Sequence, residues 1–297
     1  DKSKVELSVS PGNTDALHYS VQSGESAFGY ASRLAAQYGE WFYYDGKRLV
    51  FGRPEDGEEV SLTYGHDLQE FSLGLSPSSN SYRFFTNDYL SDDQHELATS
   101  SVSSGASGYN DFTSRKSDEI YSKETSVFLN AYTDPQLKQR LDRQVEAQKR
   151  AVVVNQVVVS GMSDNPGVSL GKVVKIQGDG TEHGSFRVTR VTHTGNENGM
   201  YQNRFEGLTA EIEAYPNTNI TAYPKSDSQV GTVTDTADPD GYGRVKVQLG
   251  WQRPLGEHTP WLRVLTPHAG GEKGFHFIPE VGEEVLVGFE GGNAERP

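Results

Sequence analysis

Four features of the 297-residue sequence carry residue types that could do chemistry. Gly167-Val168-Ser169-Leu170-Gly171 fits G-x-S-x-G, the pattern of a serine raised on a tight turn to attack a carbonyl carbon. That elbow needs a strand, a turn and then a helix. The residues after Gly171 include Val173, Val174 and Ile176, which alternate as a strand does, so a hydrolytic serine is not expected at Ser169. Asp238-Pro239-Asp240-Gly241 gathers carboxylates as a calcium loop would, but a carboxylate is required at the first and twelfth loop positions. Those positions fall on Thr236 and Val247. His95-Glu96 has no second histidine one helical turn on, and His258, His268 and His276 lack helical spacing. Without any cysteine to supply thiolates, a zinc site is not expected either. Neither a P-loop nor a dinucleotide-binding glycine pattern occurs, so no catalytic residue, cofactor or metal is assigned.

What remains is a set of elements built for packing. Val230 to Thr236 and Arg244 to Leu249 are β-rich runs on either side of Asp238-Pro239-Asp240-Gly241, in which proline and glycine favour a tight hairpin turn. Arg244 to Leu249 alternates polar and apolar residues, as in a strand with one buried face. Val285, Val287 and Phe289 repeat that period, yet Leu286 between them is also apolar, so this strand presents an apolar residue on its outer face as well. About 70 residues of this kind suit a five-stranded barrel of the OB type.

The runs Gly241 to Leu249, Pro260 to Val264 and Gly274 to Pro297 resemble the VgrG family of fused hub-and-spike proteins, found in type VI secretion and related contractile injection machines. The Pro-x-Val-Gly-x-Glu-Val-Leu-Val core, Pro279 to Val287, carries most of this likeness. A second stretch, Gly24 to Phe51, is similar to the family's hub. Ser26 caps a helix with Ala27, Tyr30, Ala31, Leu34, Ala35 and Tyr38 on one face and Gly39 as its stop. Trp41-Phe42-Tyr43-Tyr44 and Leu49-Val50-Phe51 flank Asp45-Gly46, a hairpin signal. Because those four aromatic residues alternate faces, they read as packing rather than as a carbohydrate platform.

Elsewhere, Val5 to Val9 and Leu17 to Val21 read as strands, Leu62 to Tyr89 as short β segments, and Thr99 to Gly108 as a mobile serine-rich loop. In that loop Gly105 should tolerate a β-branched residue better than Gly241 in its tight turn. Asp134-Pro135 opens a helix reaching about Arg150, with Leu137, Leu141 and Val145 as a narrow apolar seam and Lys149 on another face. Strands follow at Val152 to Val159, Lys172 to Ile176, Phe186 to Thr192 and Tyr201 to Ile212.

The expected fold is therefore mainly β, a hub β-barrel portion with a few helices followed by a five-stranded OB-fold barrel. The expected divisions are a hub subdomain at 1–133, a helix with the second hub barrel at 134–216, a linker at 217–228 and the OB module at 229–297. The resemblance implies a non-enzymatic homotrimer that caps a hexameric tube protein, contacts baseplate proteins and carries a tip protein or effector. It also implies residence in the cytoplasm before firing and secretion by the machine without a signal peptide. The resemblance further implies that family members begin with another hub barrel and continue into a β-helical needle, neither of which is expected in this sequence. The packing and interface residues expected are Leu137, Leu141 and Val145 on the helix. In the OB module they are Trp251, Trp261, Phe275, Phe277, Pro279, Gly282, Val285 and Leu286.

Two other classes were weighed. A spike enzyme that degrades cell wall or bears an effector would need a catalytic domain that these residues do not provide. An OB-type nucleic-acid binder would need a basic groove. The 27 Lys and Arg against 41 Asp and Glu give a net charge of −14, which disfavours nucleic acid and anionic lipid surfaces. No apolar run reaches membrane-spanning length, so stable insertion is not expected; Val152-Val153-Val154 ends at Asn155-Gln156.

Overall fold

A computed structural model describes residues 5–55, 57–271 and 273–297. The chain forms two compact units, one holding 28–129 and 135–222 with the N-terminal residues through Thr14, the other holding 15–27, 130–134 and 223–297. This division differs from the boundaries expected from sequence. Strands on both sides of residue 134 share one sheet, and residues 217–222 belong to the first unit rather than to a linker. Ile220 is buried there, with Asn219 N donating to Ala36 O at 2.8 Å.

The first unit is built on a six-stranded sheet. In spatial order its strands are Val60–Thr63, Val173–Gly178, Thr181–Gly195, Tyr201–Thr209, Val157–Ser163 and Leu68–Leu75. Val60–Thr63 pairs parallel to Val173–Gly178, and the other ladders are antiparallel. The inward residues include Leu62, Leu68, Val159, Val174, Ile176, Phe186, Val188 and Phe205, which form one apolar core. Phe205 lies over Gly161 so closely that any side chain there would strike its ring. Alternation with period two produced this face.

Around the sheet are three helices: α1 (Ala27–Tyr38), α2 (Gly108–Ile120) and α3 (Leu137–Val154). Helix α1 ends where Gly39 turns left-handed at φ +72°, as its sequence requires. The following hairpin pairs Phe42–Tyr44 with Arg48–Gly52, and the Asp45 carboxylate accepts from Lys47 N (2.8 Å) and Arg48 N (2.6 Å). A parallel strand, Glu6–Ser10, lies beside it.

Helix α3 differs from its expectation at both ends. It begins after Gln136, not at Asp134-Pro135, and it absorbs Val152, Val153 and Val154, which β-branched composition had assigned to a strand. Val153 and Val154 are buried against Leu208 and Ile212, and this packing outweighs their modest helix propensity. Lys149 also departs from expectation, continuing the buried line of Leu137, Leu141 and Val145.

Helix α2 escaped the sequence reading because its buried face is polar. Asn110, Thr113 and Ser117 point inward while Phe112 and Ile120 face water. Asn110 Nδ2 donates to Val153 O at 2.7 Å, capping a carbonyl of the last turn of α3, and Thr209 Oγ1 donates to Asn110 Oδ1 at 2.6 Å. Ser117 Oγ accepts from Gln156 Nε2 (2.9 Å) and Ser78 N (3.2 Å). The loop before α2 is held at its start rather than loose. Thr99 is buried, with Oγ1 donating to Asn80 O (2.7 Å) and accepting from Tyr82 N (2.9 Å).

In the second unit Gln229–Asp235 is the central strand, flanked antiparallel by Lys246–Leu249 and Glu284–Val287. Bridges from Val245 to Leu262 and from Lys225 to Asn293, with a short hairpin, Ala269–Gly270 with Lys273–Gly274, complete its β structure among the described residues. Val233, Val245, Val247, Leu249, Leu262 and Val287 form the core. Leu17 to Val21 is not a strand. This segment is held by side-chain contacts instead: Glu295 Oε1 accepts from Ser20 Oγ at 2.9 Å and Val21 N at 3.1 Å. Burial, then the charges of Glu295 and Glu257, push the Tyr19 hydroxyl pKa upward.

The loop after the central strand is organised by an ion pair. Asp238 and Arg244 are both nearly fully buried and meet at 2.7 Å, with Arg244 Nε also donating to Asp238 at 3.0 Å. Backbone N–H groups of Asp240, Tyr242 and Arg244 donate to the same carboxylate. The carboxylates that suggested a cation loop thus close on a guanidinium. Gly241 adopts φ +73°, but Gly105 adopts φ +69°, so conformation does not separate the two as their sequence contexts suggested.

Two measurements check these packing arguments. Replacing Asn110 by Leu is expected to cost about 1–3 kcal/mol in urea unfolding, because the Thr209 hydroxyl and the Val153 carbonyl lose their partner. The exposed Phe112→Ser should change stability by less than about 0.5 kcal/mol. The second concerns pH. Hydrogen bonds from the Arg244 side chain, then from backbone N–H groups, hold the Asp238 carboxyl well below the usual carboxylate range. A depressed group contributes stability that is complete above its unfolded pKa of about 4 and lost as pH falls toward the folded value. Asp238→Asn should therefore destabilise by about 3 kcal/mol or more at neutral pH, with the deficit narrowing below about pH 4. A deficit that is independent of pH would contradict the assignment.

Candidate functional site: the outer face of the C-terminal sheet

The central strand Gln229–Asp235 alternates from Val230 to Val233, before its register shifts between Val233 and Asp235. Gly231 and Val233 face the core, and Gly231 has no room for a side chain against Val247. Val230 and Thr232 therefore face out. On the neighbouring strand Val285 and Val287 pack inward and Leu286 faces out. The register makes Val230 and Leu286 direct cross-strand partners. They stand side by side, 53% and 73% exposed, as an apolar pair on the outer face.

On the same face Arg253 donates to Thr232 Oγ1 at 3.0 Å, and at the start of the strand Trp251 Nε1 donates to Gln229 Oε1 at 3.1 Å. Thr232 is itself paired with Glu284. An apolar centre with a polar border suits contact with another protein surface.

The residues expected to pack divide into two sets. Leu137, Leu141 and Val145 are buried on α3 and join Phe84, Leu129 and Ile220 in one cluster. Val285 packs against the core of the second unit. Trp261 and Pro279 are half-buried, the Trp261 ring lying 4.8 Å beneath Lys246 Nζ. Gly282, at φ +96°, donates its N–H to Val233 O at 2.9 Å and turns the chain into the strand Glu284–Val287. Trp251, Phe275, Phe277 and Leu286 face solvent and so are not core residues of this chain. The Phe275 and Phe277 rings stack on each other at 6.1 Å. Sequence reasoning singled out Leu286 but missed Val230, whose outward direction follows from a register visible only once the strands are paired.

The motifs that could have done chemistry are placed as follows. Ser169 precedes the strand Val173–Gly178, with its carbonyl accepting from Lys172 N, so no helix follows it. His95 lies on the strand Asp93–Ala98, 3.8 Å from Asp88, and Glu96 pairs with Arg83 at 2.7 Å. Among the described residues no group of three or more His, Asp or Glu is placed to hold a metal ion.

Comparison with known proteins accounts for both units. The family model of the phage tail baseplate hub (GPD) matches residues 2–199, and that of the type VI secretion system/phage-baseplate injector OB domain matches 229–297. Curated relatives in Pseudomonas aeruginosa include the type VI secretion system spike protein VgrG5, 45% identical over 71 residues, or 23% of this chain and 9% of that one. Another is VgrG1c, 34% identical over 121 residues, covering 37% of this chain and 16% of that one. The chain thus matches less than a fifth of the length of these relatives. A solved E. coli protein, c3393, shares the fold with a TM-score of 0.55 at 17% identity, covering 98% of this chain and 64% of that one. Its title describes a type VI secretion component structurally similar to the T4 bacteriophage tail proteins gp27 and gp5. With a hub match over two thirds of its length followed by an injector OB match, the chain belongs to the VgrG family of baseplate hub and spike proteins.

Proposed function

We propose that this chain is a structural part of a contractile injection machine, in which it caps the inner tube and carries the piercing tip. The observation that carries this reading is the order of the two matches in one chain, a baseplate hub followed by an injector OB domain. Such an order joins a tube-facing ring to a narrower spike. In this reading three copies assemble around a threefold axis, rest on a hexameric tube protein, contact baseplate proteins and bear a tip protein or effector. The chain is made in the cytoplasm and leaves with the machine when the sheath contracts. It acts by stiffness and fit rather than by catalysis, consistent with Ser169 standing ahead of a strand.

The outer face of the C-terminal sheet is the subunit contact in this proposal. Val230 and Leu286 are already partly covered, so burying the rest of them contributes on the order of 2–4 kcal/mol per contact. Association costs at least about 4 kcal/mol in lost translational and rotational freedom. The balance predicts a weak trimer for this chain alone. In sedimentation experiments over rising concentration the wild type should pass from monomer to trimer, whereas Leu286→Asp should remain monomeric with unchanged melting temperature. A wild type that stays monomeric, or forms dimers, at high concentration would contradict the proposal.

A further inference from the structure

Helix α3 places Leu137, Leu141, Val145 and Lys149 on one line, each four residues after the last. The first three are the apolar seam. The fourth is a lysine only 8% exposed. Lysine is almost never buried this deeply without a partner. Among the described residues no hydrogen bond or ion pair holds Lys149; the Asp118 carboxylate acts on it only through its charge. Burial opposes the charged form of Lys149 more strongly than Asp118 supports it.

Lys149 reaches an open cleft of about 520 Å³, walled by the loop 99–106, helix α2 and the residues before the strand Tyr82–Asp88. Ser103, Ser104 and Ser114 line it with hydroxyls. The other cation in the cleft, Arg115, is engaged by Asp111 at 3.1 Å. Lys149 is therefore the one cation of the described lining without a protein acceptor.

We infer that this cleft binds a single carboxylate group, received by the Lys149 ammonium and the surrounding serine hydroxyls. The argument is one of complementarity. The Lys149 stem is buried and its ammonium opens only into this cleft, where an ammonium gains more from a charged acceptor than one on an open surface does. Hydroxyls can donate to the remaining carboxylate lone pairs. Asp118 in the same lining repels additional negative charge, which favours a monoanion over phosphate. The carboxylate belongs either to a small organic acid or to an acidic residue or chain end of another polypeptide. A lysine serving only structure would have no need of an open, hydroxyl-lined cleft, and an apolar residue would continue the seam better.

The test is calorimetric titration of the full chain with acetate, with a short peptide bearing one aspartate, and with inorganic phosphate, all at constant ionic strength. Saturable binding of acetate or the peptide, with phosphate weaker, is expected. Tighter binding of the peptide than of acetate would identify a polypeptide as the source, and the reverse order a small acid. Lys149→Met fills the same space and should keep the melting temperature while weakening binding about tenfold or more, as loss of a charged hydrogen bond does. Lys138→Met, removing a surface lysine paired with Asp142, should leave binding unchanged. Should Lys149→Met fail to fold, acylation of Lys149 in the wild type, read by peptide mass spectrometry, should be slowed by whichever carboxylate binds. The inference is overturned if neither carboxylate binds at tens of millimolar, if phosphate binds as well as acetate, or if Lys149→Met binds undiminished.

Discussion

One short connection constrains the first unit. Val60–Thr63 and Leu68–Leu75 lie at opposite edges of the six-stranded sheet, yet only Tyr64 to Asp67 join them. Five residue steps reach at most about 18 Å. A flat sheet of six strands would separate its edges by about 24 Å. The sheet must therefore curl, and its irregular pairings near Ile176, Val188 and Leu68 supply local bends. The Asp67 carboxylate, accepting from Thr63 N at 2.7 Å, fastens the link. Curling brings Leu62, Ile176, Phe186 and Phe205 into one core, and the rest of the unit is arranged around that curve.

How much of this was legible in the sequence depended on whether the buried face was apolar. The helix α1 with its Gly39 stop, the Asp45-Gly46 hairpin and the alternating strands were readable because local turn signals and period-two alternation marked them. Helix α2 was invisible because Asn110, Thr113 and Ser117 form its inner face, and no apolar period can report a polar interior. Val152 to Val154 misled in the opposite sense, since β-branched residues suit a strand until tertiary packing draws them into a helix. The parallel pairing of Val60–Thr63 with Val173–Gly178 spans more than a hundred residues and left no local trace.

The functional surface was partly legible for a similar reason. Leu286 stood out because it interrupts an alternating strand, but its partner Val230 sits at the start of a strand and looked ordinary. Pairing turned two isolated apolar residues into a patch. The buried Asp238–Arg244 pair shows the converse: carboxylates that resembled a cation site are satisfied within the chain and secure the turn after the central strand. A firm turn keeps the central strand in register, and register decides which residues the outer face presents.

The central claim is that the outer face of the C-terminal sheet is where three copies of this chain meet. Single-particle electron microscopy of the chain at high concentration tests it most directly. The account predicts threefold-symmetric particles in which Val230 and Leu286 lie at the contact between subunits. Particles without threefold symmetry, or a threefold assembly that leaves Val230 and Leu286 in solvent, would contradict it.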